Sequence, residues 1–127
     1  MTNFSQGDVI LTEIAFSGEP GRKRRPAVVI SIDEFNRAGT KLIVAAVTSN
    51  ISPPFRRGDV LLVDWQKDGL VKPSAVRGVL ATIDKKDIVR PMGHLTEKDF
   101  TKVESAVADL LGFTQKRIGP DGQVENG

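Results

Sequence analysis

Four cations, Arg22, Lys23, Arg24 and Arg25, run into Pro26, and the proline opens an apolar β-branched run, Ala27 to Ile30. A guanidinium is a planar, permanently charged donor that matches phosphate oxygens two at a time. A second apolar run, Leu42 to Val47, ends in Thr48, Ser49 and Asn50, all small hydrogen-bonding side chains. Laid side by side, the two runs would bring arginine and hydroxyl groups to one spot, a combination that suits a polyanion. From composition alone, Arg22 to Arg25 fit a solvated loop as well as a phosphate contact. The pairing with Thr48 and Ser49 favours the phosphate contact.

Elimination narrows the chemistry further. His94 is the only histidine, and the chain has neither Tyr nor Cys. A paired-histidine acid–base mechanism, a tyrosine nucleophile and thiol chemistry are therefore excluded within one chain. The carboxylates are scattered, with no His-rich or Asp-x-Asp cluster, so neither a metal nor another cofactor is expected. A metal-free enzyme acting on nucleic acid is best matched to RNA, where the 2′-hydroxyl is the nucleophile and the protein positions it and stabilises charge. Arg25, Thr48 and Ser49 suit that role. His94 reads as a residue that orients the junction between a strand and a helix. Trp65 and Phe16 read as core or dimer surface rather than base-stacking platforms.

The elements that must carry these residues are mostly strands. Gly7 to Phe16 is apolar in both registers, as in a strand covered on both sides. Pro26 is expected to open the second strand, and Leu42 to Val47 forms the third. Asp33 to Gly39 reads as a polar excursion with Gly39 as its turn residue. The Pro53-Pro54 pair makes Ile51 to Gly58 a loop. Val60 to Trp65 reads as a strand, Asp68-Gly69 as a hairpin turn, and Ser74 to Ile83 and Ile88 to Leu95 as further strands. The period then changes. Thr96 to Asp99 has the form of a capping box, Phe100, Val103 and Val107 recur at helical spacing, and Gly112 is placed to end the helix. Short strands followed by one amphipathic helix predict a small, strongly curved β-barrel with the helix packed against it.

Length and composition set the frame. The 127 residues, 39% hydrophobic and 27% charged, fit one globular domain over 1–112. Residues 113–127, rich in Gly, Pro, Asp, Asn and Gln, are expected to be a disordered tail. The net charge of +2 is small, but its distribution is uneven, with Arg56-Arg57 and Lys85-Lys86 adding to the first cluster. No signal-peptide pattern opens the chain and no apolar run reaches membrane-spanning length, so a cytoplasmic location without membrane contact is expected.

In chain order, Gly7-Asp8-Val9-Ile10-Leu11, Arg25-Pro26-Ala27-Val28-Val29-Ile30-Ser31, Asp33 with Phe35-Asn36, and Val44 to Ser49 form a pattern. It continues through Gly69-Leu70, Lys72-Pro73-Ser74, Thr82 to Lys85 and Gly93-His94-Leu95. The ordered set, spanning Gly7 to Gly112, resembles the MazF/PemK toxins of bacterial toxin–antitoxin systems. The resemblance implies a CcdB/PemK/MazF-type SH3-like barrel, a homodimer, ribosome-independent cleavage of single-stranded mRNA at short motifs, and inhibition by a cognate antitoxin; with the metal-free reading of the residues, that cleavage is expected to be metal-independent. Arg25 falls where the family has its catalytic arginine, and Thr48 and Ser49 match its Thr-Ser/Ala pair. This implies Arg25 and Thr48 as catalytic, with Ser49 and Arg77 on the substrate; the residues themselves add Asn50, as a hydrogen-bonding side chain, and Arg24, as a groove charge, to the substrate contacts. Arg77 matches an arginine found in some members, while the Asp that follows it there is Val79 here. Two non-catalytic readings share the fold: a CcdB-like gyrase-binding toxin, and an inactive homologue that still binds antitoxin or RNA. The polar, Trp-free chain end and the retained Arg25 and Thr48-Ser49 count against the first.

Overall fold

Val9 and Ile10 are neighbours in sequence and both are fully buried, each in a different apolar cluster. Successive side chains of a strand point to opposite faces, so this segment is a strand covered on both sides, as its two apolar registers predict. The computed structural model describes residues 3–16, 18 and 20–113, and the backbone of 117–118 and 124–125. Its elements are β1 (Asp8–Ile14), β2 (Lys23–Val29), α1 (Asp33–Ala38), β3 (Lys41–Thr48), β4 (Val60–Leu61) and β5 (Ala75–Asp84). A 3-10 turn (Lys85–Asp87), β6 (Ile88–His94) and α2 (Glu97–Leu111) follow.

The strands make one six-stranded sheet in the order β4-β5-β3-β2-β1-β6, antiparallel throughout. Register shifts interrupt the β1–β6 and β3–β5 ladders, and such irregularities bend a sheet. The mainly-β fold with one long C-terminal helix is the one expected, but the sheet is not closed by a ladder between β4 and β6. The segment from Leu62 to Ser74 crosses that opening instead. Leu62 N–H donates to Ser74 O at 3.0 Å, and the Gly69 Cα lies against the backbone of Met92 and Gly93.

α2 sets Phe100, Val103 and Val107 on the cluster of Val9, Val28, Ala45, Val76 and Leu95. Ile10, Ala27, Val29, Val44 and Ile83 fill the other cluster. Trp65 packs against the first and Phe16 is buried in the second, so both are core. Thr96 caps α2, its Oγ1 accepting from Asp99 N–H at 3.4 Å. At the other end Gly112 takes φ +77°, and Phe113 N–H reaches back to Ala108 O, the left-handed ending that favours glycine.

Three local expectations differ from the structure. Asp33 to Ala38 is the helix α1, and Gly39 follows it in an extended conformation rather than a turn. Only Val60 and Leu61 pair as a strand. Asp68-Gly69 does not join two paired strands. It closes a helical turn in which Asp68 N–H donates to Asp64 O and Leu70 N–H to Trp65 O. Beyond Phe113, Arg117–Ile118 and Val124–Glu125 form a short antiparallel pair; the rest of the expected disordered tail lies outside the described residues. No helix among the described residues is long and apolar enough to cross a membrane.

Candidate functional site

Strand alternation sorts the cationic run of β2. Arg24 lies beside Glu13 of β1, with Nε 3.6 Å from Oε1. Arg22, just before the strand, is held at 3.0 Å by Asp87 and donates to Glu13 O. The hydrogen bond and charge of Asp87 raise the Arg22 pKa further. Arg25, one residue after Arg24, faces the other way and lines a pocket of about 270 Å³ with Thr48, Ser49 and Lys72. The walls of this pocket are apolar, from Pro26, Leu70 and Met92. Pro26 lies just beyond the end of the β2–β3 ladder, whose last pair is Ala27 with Ala46, so its missing N–H costs no bond to β3.

Thr48, the last residue of β3, stands on a ridge. On one side is the Arg25 pocket. On the other is a smaller one, of about 170 Å³, lined by Thr48, Asn50, Arg56, Asp59 and Arg77. The Thr48 Oγ1 accepts the Asn50 N–H at 3.1 Å. A hydroxyl that is accepting on one lone pair keeps its proton available to another acceptor, so the Thr48 hydroxyl still has a hydrogen bond to give. Arg77 comes from β5, two residues beyond Ala75, the partner of Thr48 across the ladder. Residues two apart on a strand share a face, which is why Arg77 and Thr48 meet.

The structure thus brings together Arg25, Thr48 and Ser49 in one pocket, and Thr48, Asn50 and Arg77 in the next. Arg24 is not brought into either. Sequence reasoning missed Lys72 and Asp59. Lys72 reaches the pocket on the segment that crosses the sheet opening, where Ser74 Oγ donates to the Lys72 carbonyl at 2.8 Å. Asp59, in the turn before β4, lies 3.9 Å from Arg77 of β5, a contact that no local spacing announces. His94 lies outside both pockets. Its Nδ1 is 2.7 Å from Asp8 Oδ1, tying the end of β6 to the start of β1. Among the described residues no cluster of His, Asp or Glu side chains could hold a metal ion.

Residues 5–111 match the family model of the PemK-like, MazF-like toxin of type II toxin–antitoxin systems. The chain belongs to this family. Solved structures with the MazF/PemK fold align over nearly their whole length. An endoribonuclease from a mycobacterial species superposes with a TM-score of 0.71 at 19% identity, covering 91% of this chain and 97% of the other. MazF from Deinococcus radiodurans gives 0.68 at 19% identity, covering 88% and 99%. A mycobacterial endoribonuclease in complex with its cognate antitoxin gives 0.71 at 18% identity, covering 87% and 97%. No curated protein sequence matches the chain. In this MazF-like chain the matched region contains every residue of the two adjoining pockets.

Proposed function

We propose that this toxin-family protein is a metal-independent endoribonuclease that cuts single-stranded mRNA in the cytoplasm. The observation that carries the reading is the meeting of Arg25, Thr48 and Ser49 in one pocket. RNA lies across the two pockets in single-stranded form. Its 2′-oxygen attacks the adjacent phosphorus as the bond from phosphorus to the 5′-oxygen breaks. The products are a 2′,3′-cyclic phosphate and a 5′-hydroxyl end, and the 2′-hydroxyl proton ends on the leaving oxygen by way of solvent. Arg25 braces the charge of the phosphorane. It does not take the proton, because an arginine stays charged at every working pH. Thr48, already held by the Asn50 N–H, donates to a phosphate oxygen, and Ser49 and Lys72 hold the chain on either side.

The same proposal covers partners. The protein acts as a homodimer and is silenced by a cognate antitoxin whose acidic segment competes with RNA for Arg56 and its neighbours. Electrostatic contacts of this kind weaken with salt.

Incubation of the purified protein with a long single-stranded RNA in EDTA tests the reading. Discrete fragments ending in a cyclic phosphate are expected. Cleavage only with added metal overturns the mechanism, and RNA that is bound but never cut assigns the chain to the non-catalytic binding modules of this fold.

A further inference from the structure

We propose that Asp59 is the positioning residue for Arg77, setting its guanidinium to take an RNA phosphate oxygen beside Thr48; this rests on the ribonuclease reading above. A carboxylate in a pocket meant for a polyanion is a liability unless it holds a cation in place. Asp59 is built to do that. Its side chain is 11% exposed, and one oxygen, Oδ2, accepts the Arg56 N–H at 2.8 Å. In return the Asp59 N–H donates to Arg56 O at 3.0 Å. The carboxylate is thus anchored by its own turn, and its second oxygen, Oδ1, is the one that approaches Arg77.

The turn itself is pressed onto β5 next to Arg77. Gly58 has φ +95°, and a Cβ there would come within 3.0 Å of the Gly78 Cα. Two glycines therefore allow the backbone carrying Asp59 to lie against the strand carrying Arg77. The closest contact runs through Arg77 Nε at 3.9 Å, an ion pair beyond hydrogen-bond length, so Asp59 draws the inner edge of the guanidinium by charge, and its terminal amino groups are the donors suited to a phosphate. Arg77 is 38% exposed. A long side chain at that exposure loses rotamer freedom on binding, and holding it beforehand lowers that cost. Exposed ion pairs contribute little to stability; the value of this one lies in orientation.

The sign of a simple measurement separates the idea from plain electrostatics. Asp59→Asn removes a negative charge from a phosphate site, so charge alone predicts tighter RNA binding. Positioning predicts weaker binding. Fluorescence anisotropy with a 2′-deoxy oligonucleotide, which cannot be cleaved, reads this on the full chain. Asp59→Asn is expected to weaken binding about tenfold, the scale of a misplaced charge-assisted contact, with an unchanged melting temperature. Arg77→Ala is expected to do the same, and the double variant is expected to be no worse than Arg77→Ala alone. Tighter or unchanged binding by Asp59→Asn overturns the proposal, as does an independent further loss in the Arg77→Ala background. Loss of the acid limb of the pH–rate profile in Asp59→Asn would make Asp59 a proton acceptor instead. If the binding pattern holds but wild-type protein never cuts an all-ribose RNA, the ribonuclease reading fails and the Asp59–Arg77 pair stands.

Discussion

An ion that stabilises a transition state and an ion that merely attracts the substrate respond differently to substitution, and the β2 arginines allow that test. On the proposed mechanism Arg25 meets charge that exists mainly on the phosphorane. Arg25→Ala should then cut turnover by about 10²–10³, the scale of losing one preorganised donor, while RNA affinity falls far less because other cations still meet the phosphates. Arg25→Lys should rescue poorly, since an ammonium has no planar fork. Thr48→Val keeps the shape of the side chain and deletes the donor, so it should lose turnover as well. Turnover near wild type in both Arg25→Ala and Thr48→Val, measured on one oligonucleotide, would remove the site. Arg25, Thr48 and Ser49 were legible because each ends or opens an apolar run, and runs of that kind become neighbouring strands. The separation of Arg25 from Arg24 was not legible. Both registers of the run after Pro26 are apolar, so the sequence carries no sign of which parity faces the pocket. The ladder with β1 decides it, setting Arg24 opposite Glu13 and Arg25 opposite Thr12, and those partners are distant in sequence.

The elements around the site are held by a buried carboxyl pair. Asp68 and Asp99 are both fully buried. Asp99 accepts the Val63 and Asp64 N–H groups at 3.0 and 2.8 Å, and Asp68 accepts the Thr96 N–H at 2.8 Å. The capping-box spacing from Thr96 to Asp99 was legible, but its reciprocal half is not made by Asp99: Asp68 satisfies the Thr96 amide, and Asp99 fastens the neighbouring loop. Burial raises the Asp68 pKa to about 7, helped by Asp99. Burial opposes ionisation of Asp99 too, but hydrogen bonds from Asp68 and from the Val63 and Asp64 amides outweigh it and lower its pKa. Asp68 is thus the protonated partner, and the folded state holds a proton that the unfolded chain releases near pH 4. Its contribution is present in full below about pH 4 and is lost as pH rises through about 7. The melting temperature should decline over that interval. Asp68→Asn, which keeps a donor for Asp99 and an acceptor for Thr96, should flatten the decline; an unchanged slope would place the proton elsewhere. The loop fastened here carries Leu70 and Lys72 into the Arg25 pocket. Its seat on β6 is equally specific: a Cβ on Gly93 would overlap the Asp68 carbonyl. Gly93→Ala should therefore cost about 3 kcal/mol, the upper range for overpacking, read by denaturant unfolding. None of this loop geometry was legible, since it depends on close backbone approach rather than side-chain pattern. The helix α1 was missed for a related reason. At six residues it is too short to show a period, and its buried residue is polar: Asn36 accepts from Ser31 Oγ and donates to the Phe4 and Ser31 carbonyls.

At the scale of the whole molecule the question is what covers the apolar surface that one chain leaves open. Scattered exposed apolar side chains are ordinary, and Ile32 and Val89 need no explanation. The end of α2 is different. Leu111 is 48% and Phe113 72% exposed, and both border an apolar groove with Phe100, Val107 and Ile30. A continuous apolar surface of this kind marks an interface. A two-fold dimer buries the same patch on both partners at once, which closes the surface without exposing a new one. We propose that the homodimer uses this end of α2. Light scattering at micromolar concentration should give twice the 13.8 kDa of the chain. Phe113→Ser, which removes the most exposed member of the patch beyond the last turn of the helix, should shift the population toward monomer and leave the melting of the isolated fold unchanged. A wild-type monomer would remove the dimer altogether. A dimer indifferent to Phe113→Ser would keep the assembly and move its interface, leaving the groove beside α2 open to another ligand.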